Sequence, residues 1–410
     1  MNLLWINAGL LLPLDKGGKL RTWHLMRQLA RRHDISFLSF TDPSATPGDI
    51  AGMREVASEV LTIPRAEPAK GTSAFYLDAA RYLVNRLPYA IAKYQSAEYR
   101  RAIERVLRVQ QVDAVVCDFL VPAVNLPDSL PCPAILFTHN VESEIWRRHV
   151  ENASNQVSRR LMKTQWRRML RFEGTALSRF DLVLAVSDAD RQTFGRLYPQ
   201  SLTAPVHVVQ TGVDTSYFAP MDGEDRAKRA HLVFTGSMDW LPNEDGMRYF
   251  VRDILPRIRQ AEPDTTLSII GRSPTPAVRR LADDSGIHVT GSVDDVRPHV
   301  AQGSVYVVPV RIGGGTRLKI FEAMAMGKAV VSTTIGAEGL PVTPGQHVLV
   351  ADEPQQFADA VVQIIRDEQT RRRLETEARK LVVERYDWSA VACDFEEALV
   401  RVQRARVAAA

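Results

Sequence analysis

The chain has 410 residues, 45% hydrophobic and 24% charged, with 23 glycines and 23 prolines scattered without a short period. That composition excludes collagen-like, mucin-like and disordered classes, and the length predicts two domains on a prior of roughly 150 residues each. Its 52 basic and 48 acidic residues leave a net charge of +4, too even to imply nucleic acid; residues 1–210 hold 27 basic against 20 acidic residues, and residues 211–410 hold 25 against 28.

The apolar opening, Leu3 to Leu14, has no basic leader and no small-residue cleavage site before Asp15, which predicts a buried strand in place of a signal peptide. Short apolar runs then alternate with longer amphipathic stretches. Asn2–Ala8, Ile35–Ser39, Ala114–Cys117, Ala134–Thr138, Leu182–Val186 and Val206–Val209 read as strands, most with helices between them. Thr211–Lys228, with Gly212, Pro220, Gly223 and four acids, has linker composition. Beyond it a second series reads as strands at His231–Thr235, Thr266–Ile270, His288–Val289, Val305–Val308, Ala329–Ser332 and His347–Val350, with a helix over Gly246–Gln260. Such alternation predicts an α/β chain of two doubly wound, Rossmann-like parallel-sheet domains in tandem, with a cleft implied between them. The expected domains are 1–210, a linker over 211–228, 229–385, and a C-terminal segment over 386–410 whose helix, about Val391 to Arg404, packs back on the first domain. No uncharged apolar run approaches the ~20 residues needed to cross a bilayer. Cys117, Cys132 and Cys393 are odd in number and lack C-x-x-C spacing, which argues against a disulfide framework or zinc cage and for a reducing cytoplasm.

Ligands of open α/β sheets bind beyond the carboxyl ends of the strands. After the first strand, Asp15-Lys16-Gly17-Gly18-Lys19 leads into a helix over about Leu20 to Arg31; its glycines and helix start suit a phosphate, although a lone Gly-Gly is more often a plain turn. His139 follows the strand Ala134–Thr138 and is either a structural hydrogen-bonder or a substrate contact. Ser187 opens a helix and is explained as its N-cap. The densest segment runs from Arg311 to Gly327. Gly313, Gly314 and Gly315 precede a helix expected near Thr316, and Arg317 and Lys319 bring two cations to its start. That pattern predicts an anion site, most simply for a diphosphate, with Glu322 a turn and a half further on in reach of a ribose hydroxyl. Phe234-Thr235-Gly236-Ser237 through Asn243, and Ile270-Gly271-Arg272-Ser273, place glycine and polar groups at further strand ends, as ligand contacts or as turns. From Val141 to Phe180, nine basic residues against four acidic ones, with Trp146 and Trp166, fit either an interfacial helix on an anionic membrane surface or a solvated, salt-bridged helix.

Jointly these residues resemble the retaining glycosyltransferases of family 4, with the GT-B fold, in the branch of sugar transferases associated with exopolysaccharide synthesis. The resemblance is carried by Thr211-Gly212-Val213-Asp214 with Phe218, by Phe234-Thr235-Gly236, by Gly313 to Arg317 through Glu322-Ala323-Met324-Ala325 and Gly327-Lys328-Ala329-Val330-Val331, and by Gly336-Ala337-Glu338-Gly339-Leu340. It implies a nucleotide-diphosphate-sugar donor held mainly by the second domain and a glycan or lipid-linked acceptor held mainly by the first. It also implies transfer with retention, no metal or other cofactor, and a place in the cytoplasm or on the inner face of the cytoplasmic membrane. By the same resemblance Gly17 and Gly18 approach the donor phosphate, His139 lies near the transferred sugar, Val293 or its neighbours contact the base, and Glu322 holds the ribose. Arg317, Lys319 and the backbone around Gly314, Gly315, Thr316 and Leu318 would steady the departing diphosphate, with Gly236, Ser237, Asn243, Gly271 and Arg272 completing the donor site.

The sequence departs from the family pattern twice. Of the E-x7-E pair only Glu322 remains, since Gly314 holds the first position, and the usual arginine and lysine after the first strand of the second domain give way to Ser237-Met238-Asp239-Trp240-Leu241-Pro242-Asn243. Arg317, Lys319 and Arg272 are the expected sources of the missing charge. A nucleotide-sugar 2-epimerase of the same fold and a non-catalytic nucleotide-sugar binder are the alternative readings.

Overall fold

The computed structural model describes residues 1–410 except 67–70, 74–84, 154, 222–229, 313–317 and 410. It divides into two units, Met1–Gln210 with Val391–Ala410, and Thr211–Ala390. The first unit holds seven strands: β1 (Asn2–Asn7), β2 (Asp34–Thr41), β3 (Glu59–Pro64), β4 (Ala114–Asp118), β5 (Ala134–Phe137), β6 (Leu182–Ala185) and β7 (Val206–Val208). They lie in the order β3-β2-β1-β4-β5-β6-β7, parallel throughout. The second unit holds β8 (His231–Thr235), β9 (Thr266–Ile270), β10 (Ile287–Gly291), β11 (Val305–Val308), β12 (Ala329–Ser332) and β13 (Leu349–Val350), ordered β10-β9-β8-β11-β12-β13 and again parallel. Helices cover the faces of both sheets, which is why the central strands are apolar runs and do not alternate: Leu3, Leu4, Trp5 and Ile6 of β1 are all buried.

Strand order reverses between β1 and β4 in the first sheet and between β8 and β11 in the second. Each reversal opens a crevice at the carboxyl ends of the strands, where such sheets bind ligands.

Three elements differ from the sequence reading. Strand β3 was not expected, because it lies on the sheet edge, mostly half-buried, and runs from Glu59 to Pro64, a residue type that demotes a strand. The helix read as Gly246–Gln260 starts earlier, at Leu241, with Pro242 in its first turn, and passes through a π turn at Phe250–Ile254 before continuing as Leu255–Ala261. The π turn precedes Pro256, whose missing N–H cannot close an ordinary helical turn. The last helix spans Trp388–Ala409, longer at both ends than its apolar periodicity indicated. Its Phe395 stacks on Trp5 at 5.7 Å between centroids and meets Phe137 edge-on at 5.3 Å, inside the first unit. No helix among the described residues is long and apolar enough to cross a membrane.

Candidate functional site

In the first unit the reversal brings together the ends of β1 and β4, Asn7 and Asp118. Asp118 is fully buried, and three donors converge on its Oδ2: Trp5 Nε1 at 3.2 Å, Asn7 Nδ2 at 2.6 Å and Thr22 Oγ1 at 2.7 Å. Its Oδ1 meets His139 Nε2 at 2.9 Å. A carboxylate accepts only, so this network assigns the imidazole proton to Nε2 and leaves Nδ1 as an acceptor. Burial, and next the nearby Arg21, hold the His139 pKa below the ordinary histidine value, favouring the neutral ring. The ring stacks on Phe119 at 3.8 Å and 9°. Phe119 reaches that position through a left-handed backbone, φ 64°, directly after β4.

Gly18 makes the arrangement possible. A Cβ there would lie 2.7 Å from Phe119 Cζ and 3.6 Å from His139 Nδ1, so any side chain would displace the stack. Gly17 faces open space and begins the helix Gly17–Leu29, whose N-cap residue Lys16 supplies no capping side chain. One turn on, buried Arg21 donates to the carbonyls of Thr138 and Val209, each at 2.8 Å, and lies 4.1 Å above the Phe137 ring. Burial pushes its pKa down to about 9. Arg21 thereby ties the carboxyl end of β5, next to His139, to the end of β7. Ser187 caps its helix as expected, accepting from the Asp190 amide at 3.1 Å.

In the second unit the reversal brings the end of β8 beside the helix that follows β11. Lys319 Nζ donates to Asn243 Oδ1 at 2.9 Å and lies 4.1 Å from the Phe234 ring centroid. Asn243 Nδ2 donates to the Ser237 carbonyl at 2.8 Å. A Cβ on Gly236 would lie 2.6 Å from Asn243 Nδ2 and 2.8 Å from Lys319 Nζ, so the glycine lets the ammonium sit against the backbone. Gly271, with φ +145°, passes under the same turn, and Arg272 Nε donates to Ser237 Oγ at 3.0 Å. Gly236, Ser237, Asn243, Gly271, Arg272 and Lys319 therefore form one cluster.

Glu322 stands one turn after Lys319 on the helix Leu318–Ala325. Burial pushes its pKa up to about 7 from an ordinary 4.5, against the pull of Lys319. An acid whose pKa rises on folding costs stability progressively as pH climbs from the unfolded to the folded value, and by the full amount above it. Glu322→Gln is therefore expected to raise the melting temperature at pH 8 and to leave it unchanged near pH 4.5; a gain of equal size at both would contradict this burial cost.

Leu318 opens that helix, half-buried, and Val293 packs half-buried on the second unit's core with no polar link to the lysine cluster. Gly313, Gly314, Gly315, Thr316 and Arg317 lie outside the described residues. The basic stretch from Val141 to Phe180 folds as two packed helices, Glu142–Glu151 and Gln156–Leu177. Trp146 and Trp166 are both half-buried, unlike the exposed aromatics of an interfacial helix, while Arg147 pairs with Glu144 at 2.9 Å. Asp118, Phe119 and Arg21 were not singled out in the sequence. A lone carboxylate ending an apolar strand, Ala114-Val115-Val116-Cys117-Asp118, was the available sign.

Residues 16–217 match the family model described as Glycosyltransferase Family 4, and residues 229–367 match that described as Glycosyl transferases group 1. A phosphatidyl-myo-inositol mannosyltransferase of Mycobacterium tuberculosis is 31% identical over 222 residues, covering 51% of this chain and 56% of the relative. A GDP-mannose-dependent alpha-(1-6)-phosphatidylinositol monomannoside mannosyltransferase of Mycolicibacterium smegmatis is 27% identical over 265 residues, 58% of this chain and 68% of the relative. The chain thus spans just over half the length of the first of these relatives. Among solved structures, Anabaena HepE in complex with UDP superposes with a TM-score of 0.66 at 15% identity, over 98% of this chain and 100% of the other. Sucrose-phosphate synthase from Thermosynechococcus elongatus superposes with a TM-score of 0.62 at 16% identity, over the whole of both chains.

Proposed function

Since the chain belongs to the family 4 glycosyltransferases and has the GT-B fold, we propose that it moves a sugar from a nucleotide-diphosphate donor to a glycan or lipid-linked acceptor. Transfer retains the anomeric configuration, needs no metal, and serves cell-surface polysaccharide synthesis in the cytoplasm or on the inner face of the cytoplasmic membrane. The observation that carries this reading is the lysine cluster at the strand reversal of the second sheet: Lys319 held by Asn243 over Gly236, with Glu322 one turn on. A diphosphate leaving group gains negative charge as its bond to the anomeric carbon breaks, and a cation already fixed in place stabilises that charge without reorganising. Arg272 adds charge at the same end, and Glu322 accepts from the ribose. On the first unit, His139 Nδ1 accepts a hydroxyl of the transferred sugar, and the uncapped helix start at Gly17 and Gly18 faces its phosphate.

The Anabaena structure holds UDP and the smegmatis relative is named for GDP-mannose, so these two nucleotides are the first to test. One of them, with its sugars, is expected to raise the melting temperature selectively, and EDTA is expected to leave that shift intact. Lys319→Ala should weaken nucleotide binding by about tenfold or more. No shift with any nucleotide, or a shift abolished by EDTA, would overturn the metal-independent donor site. Proton NMR of the product should show the donor's anomeric configuration. Free sugar altered at one carbon without acceptor would indicate the epimerase, and tight donor binding with neither transfer nor hydrolysis a binder.

A further inference from the structure

Arg21 is buried, 4% exposed, and both of its amino groups donate to backbone: Nη1 to the Thr138 carbonyl and Nη2 to the Val209 carbonyl, each at 2.8 Å. Both acceptors are themselves fixed. The Thr138 amide donates to the Leu184 carbonyl and the Val209 amide to the Ala185 carbonyl, each at 2.9 Å, so the guanidinium reaches across the carboxyl end of β6 to join β5 with β7. It lies 4.1 Å over the face of Phe137, and Phe137 meets the His139 ring edge-on at 5.1 Å.

Among the described residues no carboxylate hydrogen-bonds or ion-pairs with Arg21. Asp118 and Asp190 are the acids whose field reaches it, and both have partners of their own: Asp118 binds Trp5, Asn7, Thr22 and His139, and Asp190 accepts the Ser187 hydroxyl at 2.7 Å. A tie between two carbonyls needs only two N–H groups, which an uncharged side-chain amide also carries. The positive charge is surplus to that tie, and burying it without a bonded carboxylate is costly, which is why its pKa falls. Two charged groups act on the neighbouring His139: Asp118, bonded to its Nε2, and Arg21.

We infer that Arg21 is a positioning residue for the sugar-transfer step, holding the strand end that carries His139 in one place against β7 and setting a fixed positive charge beside the ring. The fork does the first and the charge does the second, and arginine is the side chain that brings both. A ring that accepts a sugar hydroxyl at Nδ1 serves only when it is in place and unprotonated there. A like charge beside an imidazole disfavours its protonated form, which opposes the pull of Asp118. The inference rests on the reading of His139 as a contact of the transferred sugar and says how the chain keeps that contact usable.

Arg21→Lys keeps the charge and loses the fork, whereas Arg21→Gln loses the charge and keeps two amide donors on a shorter stem. The Trp5 indole N–H, bonded to Asp118, reports by NMR that the first unit and its buried network are folded in either variant. Hydrolysis of UDP-glucose or GDP-mannose, whichever binds, supplies an assay that needs no acceptor. Arg21→Lys is expected to lower kcat by about tenfold or more with nucleotide affinity unchanged. In a His139→Ala background the same substitution should change kcat by less than about twofold, because a residue that acts through the ring has nothing left to act on. Arg21→Gln should also raise the pH at which His139 titrates, followed by nitrogen-15 NMR, while Arg21→Lys leaves it in place. Natural kcat in Arg21→Lys, a loss of equal size with and without His139, or a His139 titration that Arg21→Gln does not move overturns the assignment. His139→Ala alone with natural kcat overturns the sugar-contact reading instead, and failure to bind either nucleotide overturns the donor reading, so the failures are distinguishable.

Discussion

Asp118→Asn is expected to lower kcat/KM for sugar transfer by about 10²–10⁴-fold in a protein that still folds. An asparagine keeps the shape but offers one oxygen and one NH2 group. If its NH2 faced Trp5, Asn7 and Thr22, the Thr22 hydroxyl could turn to accept, but the two N–H donors of Trp5 and Asn7 would be left in buried donor–donor contacts, at about 1–3 kcal/mol each. The oxygen therefore stays on that side, and the NH2 group faces His139 Nε2. A donor there can be satisfied only if Nε2 gives up its proton, so the ring carries it on Nδ1 and the acceptor beside Gly18 becomes a donor. A sugar hydroxyl that donated to Nδ1 loses its partner. Nitrogen-15 NMR of His139 reports the tautomer directly. An exchanged tautomer with wild-type kcat/KM would show that Nδ1 does not meet the substrate.

The effect should not depend on pH through the neutral range. Burial and Arg21 hold the His139 pKa below the ordinary histidine value, so the neutral ring is favoured at neutral pH in the natural chain. A loss of activity that acid restores would point to a protonated histidine and against the tautomer argument.

What the sequence showed of this fold follows from which interactions are local. Strands such as β1, β5, β8 and β11 were legible because burial on both faces leaves an unbroken apolar run, whereas their order in the sheet was not read. The edge strand β3 carries no such run. The Gly236, Asn243 and Lys319 positions were legible through glycine and charge at strand ends, although what Asn243 does, holding Lys319 and the Ser237 carbonyl together, was not. The Asp118 network was illegible for a different reason. The three donors to its Oδ2 lie 96 to 113 residues away in sequence, on β1 and on the helix Gly17–Leu29, and only the strand order brings them to one point. That Trp146 and Trp166 are half-buried was not readable either, because composition does not say which face of a helix is covered.

Gly271→Ala is expected to be the most damaging single-methyl change in the second unit, by about 3 kcal/mol or more. Two costs combine. The backbone there has φ +145°, which residues with a Cβ rarely adopt, and the added Cβ would lie 1.8 Å from the Gly236 carbonyl oxygen and 2.8 Å from its carbon. Those are backbone atoms of a fixed turn, since the Gly236 amide donates to the Ile270 carbonyl at 2.9 Å and Asn243 and Lys319 close over its other side. Relief requires the turn or the end of β9 to move by an ångström or more, and such a movement carries the lysine cluster with it. Gly339→Ala separates the two costs. Gly339 also has positive φ, +75°, but its Cβ would meet nothing within 4 Å, so only the backbone preference is lost, about 1 kcal/mol. The melting temperature of Gly271→Ala should therefore fall well below that of Gly339→Ala. Where it still folds, nucleotide binding should weaken by about tenfold or more. Equal melting temperatures for the two variants would mean that the turn at Gly236 yields without cost, and a rigid turn is what holds Lys319 ready for a leaving diphosphate.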